Sequence, residues 1–152
     1  MQYLSKYVTM KFEDAVEATK ETLRRHYLAI LAEIDLRNAI MGHFSVDFRP
    51  YLIISTCNLQ LAQRAIQAED EIGSMLLCNV VLQQHRDGRV QISAADPTAT
   101  IGMINDVEVI WIARQLRSLV QKAIDDVKSF PNSRCLLRNS EEADSQMMLA
   151  LR

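Results

Sequence analysis

The sequence predicts an α+β fold: a single, mostly antiparallel sheet with helices packed on it and one long helix toward the carboxyl terminus. Three observations predict it. Asp87-Gly88 stands between two runs of alternating apolar residues, the pattern of an antiparallel hairpin. An apolar stripe at helical spacing continues from Val109 to Val127. In the remaining chain, β-rich runs and helical periods are interleaved, so strands and helices share one domain.

Residues 3–9 mix Tyr, Leu and Val with polar side chains, as a half-buried strand does. A helix follows from Phe12, with Phe12, Ala15, Val16, Thr19 and Leu23 inward and Glu13, Asp14, Glu17, Lys20 and Glu21 outward. Its acidic residues come early and Arg24-Arg25 late, as the helix dipole favours. Residues 28–35 alternate as a second strand, with Leu28, Ile30, Ala32 and Ile34 on one face. The stretch 36–50 has no sustained period and reads as a loop with one helical turn over 36–41. Residues 51–56 form a third strand, and Asn58 caps a helix striped by Leu61, Ala62, Ala65 and Ile66.

The hairpin over 74–95 has two competing registers. A two-residue turn sets Val90 against His85 and Ile92 against Gln83, apolar against polar. A three-residue loop, Arg86-Asp87-Gly88 with Gly88 left-handed, pairs Leu82 with Ile92, Val80 with Ala94 and Gln83 with Gln91, and it is preferred. That register puts Cys78 on the apolar face with Leu76, Val80 and Leu82. Asn105 with Glu108 resembles a capping box opening the long helix, whose stripe is Val109, Ile110, Ala113, Leu116, Val120, Ala123, Ile124 and Val127. Pro131-Asn132 ends it. Residues 1–128 are thus expected to form one α+β domain, and 129–152 a polar tail in which Met147, Met148 and Leu149 either dock as a short helix or stay mobile.

A chain of 152 residues buries roughly 68–70% of its unfolded surface and needs no disulfide or metal staple. Its formal net charge of -2, with both signs interspersed, gives no field for phosphate-driven nucleic-acid binding. Arg24-Arg25-His26 is the densest basic cluster and reads as a solvated helix end. No apolar run approaches the ~20 residues that span a bilayer, and the amino terminus lacks a signal-peptide pattern. A cytoplasmic protein without a membrane segment is expected. The three cysteines are widely spaced and lack CxxC pairs, so neither a disulfide framework nor a zinc site is expected. Glycines stand singly, with no phosphate-cradling loop, and no cofactor motif is present. Glu69-Asp70-Glu71 follows a helix and reads as a solvated turn, not a catalytic cluster.

Candidate chemistry gathers at Thr56, Cys57 and Asn58. A thiol at a strand end and helix start feels the positive end of the helix dipole, which can lower its pKa from ~8.5 toward ~7. The competing reading makes Cys57 a small core residue. Cys78, by strand parity, sits among Leu and Val, where burial suppresses reactivity. Cys135 lies in the polar tail. Of the three histidines, His43, in the irregular stretch before the third strand, is the one to approach Cys57; His85 beside the turn faces solvent, and His26 closes the first helix. Val107, Trp111 and Arg114 form a second patch off the main stripe of the long helix, suited to contact with another subunit.

Thr56-Cys57-Asn58, Leu61-Ala62, the run Gly73 to Cys78, Val80-Val81, and Asp87-Gly88 with Val90 resemble a small bacterial and archaeal family known only as domain of unknown function 302. The resemblance covers residues 3–127 and implies a small α+β domain that pairs into homodimers. The family usually carries a proline directly before the second cysteine and soon after the first; Leu77 and Leu59 stand at those places here. No reaction comes with the resemblance. The first functional expectation is therefore a module binding a small molecule or protein partner near the Cys57 junction, through Thr56, Cys57, Asn58 and His43. The alternatives are a thiol-dependent enzyme or redox sensor using Cys57 with Cys78 as resolving thiol, and a structural or scaffolding dimer.

Overall fold

The computed structural model describes residues 2–128. Its five strands, β1 (Tyr3–Val8), β2 (Ala29–Asp35), β3 (Tyr51–Cys57), β4 (Cys78–Gln84) and β5 (Val90–Ala95), form one sheet in the order β1-β5-β4-β3-β2, every neighbouring pair antiparallel. The helices are α1 (Phe12–Arg25), α2 (Leu36–Phe44), α3 (Leu59–Ala68), the one-turn α4 (Pro97–Thr100) and α5 (Val107–Asp125). Because β1 and β2 lie at opposite edges, α1 carries the chain across the sheet between them. It packs against α5, and with α3 these helices cover one face. The core lies between that face and the helices, filled by Ile54, Val80, Leu82, Val90 and Ile92 from the sheet and by Leu23, Ile112, Leu116 and Ile124 from above. Among the described residues no helix is long and apolar enough to cross a membrane.

The hairpin has the register that apolar pairing dictates. Val80 faces Ala94, Leu82 faces Ile92 and Gln83 faces Gln91. The His85 N–H donates to Arg89 O (2.9 Å), closing a three-residue loop in which Gly88 has φ 86°, a conformation that costs an L-residue about 1–2 kcal/mol.

Several local expectations are corrected. The stretch 36–50 holds a full helix, α2, in place of a loop with one turn. Asp35 caps it by accepting from Asn38 N (2.9 Å), and Ser45, left-handed at φ 51°, closes it. It buries no residue, which is why no apolar stripe announces it. The long helix is capped by Asp106, not Asn105: Asp106 Oδ1 accepts from Val109 N (3.0 Å). Its buried stripe takes Ile112 where Ile110 was expected, since 109, 112, 113 and 116 share a face.

The fourth correction concerns β2. A bulge at Leu31 shifts the register, so that Ile30 faces Thr56 while Ala32 faces Ser55 and Ile34 faces Ile53. Ile30 therefore lies toward the helices and Ile34 does not; Ile34 is 46% exposed. Glu33 and Asp35 turn to the helix side instead, where Glu33 meets Lys20 of α1 at 2.6 Å. The long helix ends at Asp125, before the Pro131-Asn132 stop expected for it, and Val127 is buried beyond its last turn; Cys135 and Met147 to Leu149 lie outside the described residues.

Candidate functional site

At the carboxyl end of β3 the polar side chains are held by the backbone. The first helix closes with Tyr27 left-handed (φ 60°), its N–H on Arg24 O (3.0 Å) and the Leu28 N–H on Leu23 O (2.9 Å), a Schellman arrangement in which glycine is usual. Asn58 bridges this turn to α3. Its Oδ1 accepts from Leu61 N (2.9 Å), capping the helix, while Nδ2 donates to Tyr27 O (3.0 Å). The fully buried Thr56 donates its hydroxyl to Ala29 O of the neighbouring strand (2.8 Å). Thr56 and Asn58 thus stand beside Cys57, with their side-chain groups engaged in fold contacts.

His43 does not join them. It lies in the last turn of α2, where Nδ1 donates to Ala39 O (2.9 Å) and the ring stands 6.4 Å from Phe44. The helix that carries it starts beside Asp35, whose partner Leu52 is at the far end of β3, roughly 17 Å of strand from Cys57.

The cysteine geometry follows from strand parity. Thr56 faces Cys78 across the β3–β4 pair, on the helix side; Cys57, the next residue, points to the other face of the sheet. The two thiols are close in the backbone but divided by it, and both are free and buried. Burial pushes the Cys57 thiol up, so desolvation outweighs the helix terminus that was expected to lower it. Burial first, and the nearness of Cys57 second, push the Cys78 thiol up to about 12. Both directions run against thiolate chemistry near neutral pH.

The opposite end of β3 opens into a cleft of about 920 Å³, within the range of small-molecule sites. Antiparallel pairing assembles it. Tyr51 faces Gln83, and Gln84 N donates to Pro50 O (3.1 Å), which brings the segment before β3 against the hairpin loop. Arg37 comes from the start of α2, Asp47, Phe48 and Arg49 from the 45–50 segment, Arg86, Asp87 and Arg89 from the hairpin, and Tyr7 from the end of β1. Four arginines face two aspartates, an excess of two positive charges in a chain whose net charge is -2.

Each arginine is held differently. Arg89 Nε meets Asp87 Oδ2 at 2.7 Å, and its guanidinium lies 4.6 Å from the Tyr7 ring centroid. The Arg89 backbone N–H, followed by the guanidinium, holds the Asp87 carboxyl below the ordinary carboxylate range, so Asp87 stays charged and committed to Arg89. Arg49 donates Nε to Gln83 Oε1 (3.0 Å) and lies over Phe48, 4.8 Å from the centroid, which fixes the fork and leaves its terminal nitrogens without an acid among the described residues. Arg37 stands 3.7 Å from Asp47, and its Nε is buried with no hydrogen-bond partner among the described residues. Arg86 has no ion-pair partner among the described residues. At the rim His85 is half-buried, contrary to the solvent-facing expectation: Nε2 is 2.8 Å from Gln91 Oε1 and the ring 5.7 Å from Tyr7.

None of these arginines is adjacent to the cysteine motif, and their spacing in the chain carries no pattern. The one available signal was Arg86-Asp87-Gly88-Arg89 at the turn, which places two guanidinium groups at one end of the hairpin. Among the described residues no three His, Cys, Asp or Glu side chains converge as metal ligands.

The sequence model of the family described as Domain of unknown function DUF302 matches residues 4–127. The fold is similar to a crystal structure of an uncharacterized conserved protein DUF302 from Bacillus stearothermophilus, with a TM-score of 0.77 and 24% identity, covering 84% of this chain and 99% of that one. No curated protein matches the chain.

Proposed function

The chain belongs to the DUF302 family, and from that premise we propose that it is a small-ligand-binding module whose site is the arginine-lined cleft at the Tyr51 end of β3. The observation that carries this reading is hydrogen-bonding capacity. At the Cys57 junction Thr56 and Asn58 serve the fold, whereas the cleft presents Arg86 and the terminal nitrogens of Arg49, which have no acidic partner among the described residues. Uncompensated donors lining a concavity are what a ligand satisfies on binding. A fragment library screened by amide chemical shifts tests the reading. Saturable shifts should cluster at Gln84, Arg86, Asp87 and Arg49; clustering at Asn58 and Cys57 in their place, or nowhere, would refute it.

A homodimer, expected from the family resemblance, belongs to the same proposal. Its support is apolar surface left open at the start of α5, where Val107 is 85% and Trp111 41% exposed on one helix face. Arg64 of α3 flanks that face, 4.5 Å from the Trp111 ring centroid and paired with Glu108. Light scattering should give twice the monomer mass for the wild type and the monomer mass for Val107→Glu/Trp111→Ala. A wild type that stays monomeric at high concentration would sink this part. Two buried, free thiols suit a reducing cytoplasmic setting.

A further inference from the structure

If the cleft is the binding site, its ligand class follows from its charges. We infer that it takes a small oxyanion bearing at least two negative charges, a phosphate ester or a di- or tricarboxylate, gripped by Arg86 and Arg49 with Arg37 at the inner wall. Asp87 is tied to Arg89 by both the backbone and the guanidinium, so that pair contributes little net field. Asp47 stands 3.7 Å from Arg37 and partly offsets it. Among the described residues Arg49 and Arg86 are then the cleft's uncompensated cations, and an ion of matching charge neutralises them without displacing an existing pair.

The geometry restricts where that anion sits. A smaller hollow of about 380 Å³ adjoins the cleft and shares Arg37 and Pro50 with it, but its other charged residues are Glu13, Glu17 and Asp35. These carboxylates repel an anion, which confines it to the arginine side of Arg37. Arg49 is pre-oriented by Gln83 and by the Phe48 ring, so little side-chain entropy is lost when its fork meets a planar carboxylate or a phosphate edge. A monoanion would leave one of the two guanidinium charges unneutralised, which is why the site calls for two charges.

The test uses the full chain in low-salt buffer, titrated in parallel with inorganic pyrophosphate, citrate and chloride and followed through the arginine Nε and backbone amide signals. Pyrophosphate, citrate or both should give saturable shifts at Arg37, Arg49 and Arg86, and chloride should not. Saturation by pyrophosphate alone identifies a phosphate ligand, and by citrate alone a carboxylate ligand. Arg86→Gln should weaken binding by about tenfold, one charge-assisted contact, with Arg49→Gln acting similarly and Arg24→Gln at the end of α1 acting as a neutral control. Non-saturating shifts spread equally over Arg24 and Arg114, or an unchanged affinity in Arg86→Gln, overturn the assignment. If uncharged fragments bind in the cleft while neither anion does, the ligand class is wrong and the cleft reading stands; if nothing binds there, both fall.

Discussion

Replacing Asn58 by alanine separates a structural from a ligand-binding role for the Cys57 junction. The substitution removes two bonds: Oδ1 from Leu61 N, which caps α3, and Nδ2 to Tyr27 O, which steadies the left-handed turn after α1. Loss of an asparagine cap costs about 1 kcal/mol. The second bond lies at the surface, so its loss costs about 0.5–1 kcal/mol. The expected sum is about 1.5–2 kcal/mol, or roughly 6–8 °C in Tm for a domain of this size. Urea unfolding followed by far-UV circular dichroism measures it, as a lower midpoint at unchanged slope. Asn58→Asp is the informative companion. It keeps the capping oxygen and adds a favourable charge at the start of α3, but loses the donor to Tyr27, so it should recover about half the loss. A loss below about 0.5 kcal/mol in Asn58→Ala would refute the account of this junction as two satisfied structural bonds.

Three further outcomes are expected. Gly88→Ala meets no atom within 4 Å of its new Cβ but must hold φ near 86°, so thermal melts should show a loss of about 1–2 kcal/mol; no loss would mean the loop has another conformation. Asp96 is buried, which by itself would raise its carboxyl pKa, yet hydrogen bonds from Thr98 and Arg117 hold it below the ordinary range. A depressed folded-state pKa gives stability that is present above the unfolded value of ~3.9 and lost as pH falls through the folded one. Asp96→Asn should therefore be less stable than wild type at pH 7 by about 2 kcal/mol, with the gap closing in acid; a constant gap from pH 7 to pH 2 refutes the ion pair as its source. Iodoacetamide at pH 8 should leave Cys57 and Cys78 largely unmodified until urea unfolds the protein, read by mass spectrometry. Rapid native labelling of Cys57 would contradict the raised pKa and revive a thiol mechanism.

Where a sequence feature constrains its own neighbours, it was legible. The hairpin register follows from which residues must share the apolar face, and a one-residue slip would have set Ile92 beside Gln83. The long helix was legible because its stripe repeats, with the amino-terminal cap misassigned by one residue and the carboxyl end, at Asp125, placed too late because Val127 continues the apolar spacing past the helix. The faces of β2 were not, since a bulge at Leu31 inverts alternation midway without a glycine or proline to mark it. Nor was α2, a helix with no buried side chain to impose a period.

The arginine cleft was illegible for a different reason. Arg37, Arg49 and Arg86 come from separate segments, and only the pairing of Tyr51 with Gln83 brings two of those segments together. Thr56, Cys57 and Asn58 stood out because strand-to-helix junctions favour residues that also make good ligand contacts. The same hydroxyl and amide that recognise a ligand can cap a helix or tie down an edge strand, and sequence does not distinguish the two uses. What distinguishes them is whether the groups already have partners. Thr56 and Asn58 have theirs at 2.8–3.0 Å, whereas Arg86 and the Arg37 Nε have none among the described residues. Arg49 and Arg86 are exposed and hydrated, so an anion that meets them gains charge-assisted hydrogen bonds net of that hydration, without breaking an existing pair. The balance of partnered and unpartnered donors is therefore the ground on which the proposal prefers the amino end of β3 to the Cys57 junction.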